Sequence, residues 1–432
     1  LAPMIETNRG CAFRFFYGAP TTEIYTKVHY FDKGRLKDEI EYIARINHER
    51  SPHMGTLRIA DPNYGMYERD VEISGYIGEV QKQYGWPTFI DATTGKNRPE
   101  RIIESMEKVN GALVLYQAVQ SLDDEVLRNI DRSNIKLEAY EKIQVHIRSR
   151  GLRSMSDLIL GLPGESLESH LRGLHQLIDA GTNQAHCFQS MMLKGAELET
   201  LATRSKFKFD TRFRVLPKNY GIYGDERVFD IEEIVVATDT LPFEDYVTCR
   251  KHHFTFSVFW NDSWFDPVVS LAKEFGVKTS EWLARILAAM EADDGPARRL
   301  LDDFVDETVH ELFPTREACA EFYAKDENFA RLQAGEIGDN LMYKYRAKAS
   351  FFVWPEVCAI AMQATRDMLV ERGAADEIPD FDRFWADFSR YVEARHASGA
   401  SAEEITRPVE VELHHDVPRW VADGCPRDVA GY

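Results

Sequence analysis

Short apolar runs alternate with amphipathic ones six times in the first ~200 residues, and this rhythm restricts the fold more than any other feature of the chain. The apolar runs are "PMIETN", "GTLRIAD", "PTFIDAT", "ALVLYQAV", "MSDLILGL" and "AHCFQSMML". Between them, "DKGRLKDEIEYIARINHER" carries Leu36, Ile40, Ile43 and Ile46 at helical spacing. "ERDVEISGYIGEVQKQYG" is a second helix with its stop at Gly85. "PERIIESMEKVNG", "DDEVLRNID", "LEAYEKIQVHIRSRG" and "LESHLRGLHQLIDAG" supply the others. Strands that are each followed by a helix make a parallel sheet with crossover helices. Six units fall two short of a closed barrel, so the choice lies between a doubly wound sheet and an open partial barrel.

Polar residues gather where the strands end, which favours the partial barrel. Asp61 and Asn63 follow the second strand, and Asp91 and Thr93 end the third, with Lys96 and Asn97 just beyond. Gln117, Gln120 and Ser121 follow the fourth, Gly161 to Glu165 the fifth, and Lys194 the sixth. The carboxyl ends of parallel strands are where such folds bind ligands. The expected class is therefore α/β: a partial (β/α)6 TIM-like barrel over 1–210, a connecting segment over 211–250, and a mostly helical C-terminal domain over 251–432. "DTRFRVLPKNYGIYGDERVFD" reads as irregular or briefly extended, and "IEEIVVATDTLPFEDYVTCRKHHFTFSVFW" as the start of the helical region. "TRPVEVELHHDVPRWV" reads as one further strand. The helical half shows no chemistry of its own and reads as a packing domain or lid.

Composition narrows the partners. A formal charge of -19 over 432 residues disfavours nucleic acid, whose phosphates need a Lys/Arg excess on some face. No apolar run approaches the ~20 residues of a membrane span, and there is no signal peptide, so no membrane partner is expected. Cys11, Cys187, Cys249, Cys319, Cys358 and Cys425 lie far apart without a CxxC pair. That spacing points to a reducing, cytoplasmic setting. The chain opens at "LAPMIETNRGC", without an initiator Met and almost directly on a strand, and so reads as a fragment whose upstream domain is missing.

Five stretches in order along this scaffold carry a resemblance: "ETNRGC" at the first strand, "RIADPNYG" at the second, and "AVQSLDDEVLRNIDRSN" at the fourth. "LILGLPGES" follows at the fifth, and "VVATDTLPFEDYV" where the barrel gives way to helices. Together they resemble the radical S-adenosylmethionine (SAM) superfamily, in particular the branch with an upstream cobalamin-binding domain, over roughly residues 4 to 250. The resemblance implies a 4Fe–4S cluster held by a CxxxCxxC loop after the first strand, with SAM on the open iron. It implies reductive cleavage of SAM to a 5′-deoxyadenosyl radical, an external one-electron reductant, and methylcobalamin as methyl donor. The reaction it implies is C-methylation of a small-molecule or peptide natural product, with rearrangement or dehydrogenation as the related alternatives. No DxHxxG cobalamin signature occurs within these residues.

Carried over residue by residue, Cys11 is a cluster ligand, and Phe15, with Tyr17 in the same loop, packs beside the adenine. Asp61 and Asn63 lie where the family binds the methionyl amino group. Gln120 and Ser121 match positions holding ribose and carboxylate, Gly161, Leu162 and Pro163 pass their backbone beside adenine, and Met192 and Leu193 close over it. Lys96 and Asn97 face the substrate. Each has a plainer reading beside this one. Asp61, Asn63, Gln120 and Ser121 suit helix caps, Cys11 a small buried residue, and Phe15, Met192 and Leu193 ordinary core.

The cluster loop itself is anomalous. "ETNRGCAFRFFYGAPT" holds one thiol where three soft anionic sulfurs are needed. At face value the motif reads Cys11, Phe15, Gly18, and neither of the last two binds iron. A second alignment keeps the aromatic flanks in "FFYGAP" and makes the loop three residues short, by deletion or by omission from the chain. Two rivals to a radical enzyme follow: a cluster-less scaffold or binding module, and a barrel enzyme that binds SAM for polar chemistry.

Overall fold

The structure is a computed structural model that describes residues 2–11, 27–95, 97–132, 134, 137–396, 398–399 and 401–432. Phe15, Tyr17, Gly18 and Lys96 lie outside the described residues. The chain divides into two compact units, 1–165 with 180–207, and 166–179 with 208–432.

In chain order the first elements are β1 (Met4–Ile5), β2 (Asn8–Arg9), β3 (His29–Tyr30), α1 (Lys33–Arg50), β4 (Thr56–Tyr64) and α2 (Glu68–Tyr84). Then come β5 (Phe89–Thr94), α3 (Pro99–Lys108), β6 (Leu115–Tyr116), α4 (Asp124–Asn129) and α5 (Leu137–Ser149). β7 (Ser154–Leu160), α6 (Leu167–Asp179), β8 (Gln184–Gln189) and α7 (Leu201–Lys206) complete the series. Helix α6 belongs to the second unit and the rest to the first.

Strands β1, β4 and β5 pair in parallel, as do β6, β7 and β8. A parallel bridge from Ile90 to Leu113 joins the two ladders. Thr94 reinforces that junction: its Oγ1 donates to the Tyr116 carbonyl at 2.7 Å and accepts from the Tyr116 amide at 2.9 Å. The six main strands thus follow one another in chain order with no reversal, whereas a doubly wound sheet reverses at a switch point. The helices of the first unit also share one face. Leu36 and Ile40 of α1, Ile73 and Ile77 of α2, Ile102 and Met106 of α3, and Ile147 of α5 meet Leu57, Ile59, Ile90, Leu113 and Leu115 in one apolar core. Burying each such side chain contributes about 1.5–3 kcal/mol, so this layer holds the helices on the sheet. The fold of the first unit is the six-stranded partial barrel.

The second unit departs from expectation. Residues that read as irregular form β9 (Asp210–Tyr223) and β10 (Glu226–Ala237), a long antiparallel hairpin. Gly224, at φ 64°, makes the tight turn. Charged residues hide the alternation: Arg214 reaches Glu232 across the strands at 2.6 Å and Glu311 at 2.8 Å. Val215 and Ile231 pack on Cys319, Tyr323, Phe329 and Leu332. The run Ile234–Val236 is the end of β10, and the helices begin with α8 (Phe243–Phe259). "TRPVEVEL" is not a strand. The amides of His414 and His415 instead donate to the buried Asp387 carboxylate, each at 3.0 Å, and a short helix, Val417–Ala422, follows. Among the described residues no helix is long and apolar enough to cross a membrane, and all six cysteines are free.

Helices α6 and α8 bring four histidines together within the second unit. His170 Nε2 and His253 Nε2 are 2.7 Å apart, and the His175 and His252 rings meet edge to face. Burial depresses His253 well below the ordinary histidine value and His252 to about 4. In the unfolded chain these rings take up protons near pH 6.5, so the folded state loses stability as pH falls through that value toward 4. For His252 alone the loss between pH 7.5 and pH 5 is on the order of 2 kcal/mol. Denaturant titrations at the two pH values should show a smaller difference in the His252→Gln variant than in the parent chain.

Candidate functional site

The end of β4 is built around a buried carboxylate. Asp61 is 2% exposed and takes four hydrogen bonds. Oδ1 accepts from the amides of Thr7 at 2.8 Å and Asn8 at 3.4 Å. Oδ2 accepts from the Thr7 hydroxyl and from Asn8 Nδ2, the latter at 2.6 Å. Two residues further on, Asn63 Nδ2 donates to Cys11 Sγ at 3.4 Å. Cys11, Asp61 and Asn63 are therefore one buried cluster at the mouth of the loop. Burial, which outweighs the hydrogen bonds from Thr7 and Asn8, raises the Asp61 carboxyl above its ordinary value.

Asp70, at the start of α2, is a second buried acid beside this cluster. Its Oδ2 accepts from the Tyr67 amide at 3.0 Å, and its Oδ1 has no partner. Desolvation, with the Asp61 charge adding to it, pushes Asp70 up to about 7.

The sheet face turned away from the helices is polar. Arg58 pairs with Asp91 at 2.7 Å across β4 and β5. Asp157 and His186 lie side by side on β7 and β8, and Tyr116 of β6, in register with Met155, reaches Asp157 along the strand. Tyr116 Oη donates to Asp157 Oδ2 at 2.5 Å, while Oδ1 lies 3.5 Å from His186 Nδ1 and has no hydrogen-bond partner. Two more buried polar atoms in the same strands or just beyond them lack a partner, Gln117 Oε1 and Ser190 Oγ. A buried acceptor without a donor costs ~1–3 kcal/mol, so such atoms mark a place for ligand donors.

The remaining expected residues sit as follows. Gln120, at φ 60°, is buried and bridges to β7, its amide donating to the Asp157 carbonyl at 2.8 Å. Ser121 Oγ accepts from the Asp123 amide at 3.2 Å, and Asp123 itself caps α4. Gly161, at φ 85°, opens the turn after β7, and its amide donates to the buried Glu165 carboxylate at 2.8 Å. Leu162 is buried, and the Pro163 carbonyl accepts from Asn129 Nδ2 at 3.1 Å. Met192 is buried, whereas Leu193 and Asn97 are exposed.

The sequence reading passed over Thr7, Asn8, Asp70, Tyr116, Asp157, His186 and Ser190. Asp157 left a signal, since a lone acid within the apolar run "MSDLILGL" needs a reason to be there. Thr7 and Asn8 carry no local signal in "ETNRGC", because their partner lies 54 and 53 residues away.

No family model matches the chain. Curated proteins do match it. It is 30% identical over 247 residues to the cobalamin-dependent radical SAM methyltransferase TokK of Streptomyces tokunonensis, covering 56% of this chain and 35% of that protein. The chain is thus similar to cobalamin-dependent radical SAM methyltransferases. The 2-(S-pantetheinyl)-carbapenam-3-carboxylate methyltransferase of Streptantibioticus cattleyicolor is 29% identical over 249 residues, again 56% of this chain and 35% of that one. The chain therefore spans about a third of the length of the curated proteins it matches. Among solved structures, the radical SAM methyltransferase TsrM from Kitasatospora setae aligns with 46% of this chain and 38% of its own, at 14% identity and a TM-score of 0.38.

Asp70 generates a test of the site's electrostatics. Its raised value means that the folded state keeps a proton the unfolded chain has lost, so its contribution to stability falls as pH rises from about 4 to about 7. Asp70→Asn keeps an acceptor for the Tyr67 amide and removes that dependence. Melting scans should find the variant about 2–4 °C more stable than the parent at pH 8 and level with it at pH 5.

Proposed function

We propose that this chain is the barrel and C-terminal part of a SAM-dependent enzyme of the cobalamin-dependent radical branch, methylating a small-molecule or peptide natural product. The observation that carries the SAM reading is the trio of buried, partnerless polar atoms Gln117 Oε1, Asp157 Oδ1 and Ser190 Oγ in or just beyond β6, β7 and β8. A nucleoside brings hydroxyl and amine donors, the groups these acceptors need. Asp157, Gln117 and Ser190 would hold its polar edge, while Gly161, Leu162 and Pro163 line its approach and Met192 and Leu193 supply apolar cover. Bound SAM supplies an activated methyl group and, when reduced by a cluster, a 5′-deoxyadenosyl radical. Cobalamin and methyl transfer are proposed from the names of its relatives, and an external one-electron reductant from the sequence resemblance alone.

The cluster is a different matter. A 4Fe–4S centre with one open iron needs three thiolates on its loop, and between Glu6 and Thr21 the sequence has Cys11 alone. That donor set does not fit the cluster, and no step is derived through it. The chain's own residues bind and orient a ligand and shield it from water. Phe15 and Gly18, standing where ligands belong, favour a second reading, a cluster-less module that keeps the barrel for binding.

Anaerobic reconstitution with iron and sulfide separates the two. A brown protein absorbing near ~400 nm that cleaves SAM after reduction establishes the radical enzyme; a colourless protein whose codons between Arg14 and Tyr17 are confirmed establishes the binding module. Both readings share SAM binding. Equilibrium dialysis should find SAM held about tenfold more weakly by Asp157→Asn, the loss of one charge-assisted hydrogen bond. An unchanged affinity would remove Asp157 from the ligand site.

A further inference from the structure

We infer that Asp61 is a positioning residue, whose carboxylate sets the path of Thr7–Cys11 and so presents the Cys11 sulfur to the Asn63 amide. The parallel ladder between β1 and β4 covers only Met4 and Ile5, opposite Arg58 and Ile59. Beyond it the backbone amides of Thr7 and Asn8 are buried, with the residues 0% and 1% exposed. They have no strand partner on β4, and Asp61 accepts from both, so one side chain continues the contact with β4 while Asn8 and Arg9 turn to pair with β3.

The same carboxylate also takes the Thr7 hydroxyl and the Asn8 amide group. A carboxylate offers about four lone-pair directions, and all four are used. That leaves no free acceptor for the methionyl ammonium of a bound SAM. Gly10, at φ 108°, then turns the chain so that Cys11 comes back beside Asn63. Removing Asp61 would take the side-chain acceptor away from two buried amides and the Thr7 hydroxyl and leave Asn8 Nδ2 with Thr7 Oγ1 alone, and the local opening would expose the thiol. The inference holds whether or not a cluster assembles on the loop.

The test is alkylation of the full-length, ligand-free chain by iodoacetamide, read cysteine by cysteine by peptide mass spectrometry. Cys249, Cys319 and Cys358, all buried in the second unit, are the internal reference. Asp61→Ala should label Cys11 at least about tenfold faster than the parent does, with the three reference thiols unchanged. Thr7→Val should give a smaller increase, and the Thr7→Val/Asp61→Ala double variant no more than Asp61→Ala alone, because Thr7 acts through Asp61.

An unchanged Cys11 rate in Asp61→Ala overturns the inference, as does strict additivity of the two changes. If Asp61→Ala labels every cysteine alike, Asp61→Asn, which keeps one acceptor and the volume, takes its place. Absence of a selective Cys11 increase there overturns the inference as well. SAM affinity of the same variants, measured by dialysis against S-adenosylmethionine and 5′-methylthioadenosine, reports separately on the proposed function. Loss of SAM binding alone, with Cys11 still protected, returns Asp61 to the role of ammonium ligand.

Discussion

Everything in the first unit depends on one sheet face being closed by helices and the other left open. Six parallel strands in chain order bury Leu57, Ile59, Ile90, Leu113 and Leu115 under α1, α2, α3 and α5. Because side chains alternate along a strand, closing one face puts every second residue on the other. That other face carries the Arg58–Asp91 pair and the Tyr116–Asp157–His186 row, which an apolar core could not hold. The polar face follows from the same alternation that makes the core.

Three buried aspartates show how differently a folded chain handles a charge removed from water. Asp61 is surrounded by donors and serves as an extension of the backbone ladder. Asp70 is bonded by backbone amides alone and lies near Asp61, and it keeps its proton to about pH 7. Asp157 satisfies one oxygen through Tyr116 and holds the other beside His186 without a partner. Native proteins rarely leave such an atom uncompensated, and when they do the place is usually functional.

The likeness to cobalamin-dependent radical SAM methyltransferases and the single thiol of the loop pull in opposite directions. The likeness runs over 56% of the chain, so it is not confined to one motif. The loop chemistry is local and strict, since no other side chain replaces a thiolate on iron–sulfur centres well. A barrel can keep its strand ends while its cluster loop changes, because the two depend on different residues.

The sequence by itself determined the βα rhythm and the six strand segments, since apolar periodicity and helix stops such as Gly85 are local properties. It also placed Asp61, Asn63, Gln120 and Gly161 at strand ends. Only the tertiary structure decided what those residues touch. The partners of Asp61 lie more than fifty residues away, and the Tyr116–Asp157–His186 row exists only once β6, β7 and β8 are in register. The hairpin of β9 and β10 escaped notice for the same reason. Its alternation is hidden by Arg214 and Glu232, charges that read as surface until the fold pairs them with each other and with Glu311 in a half-buried triad.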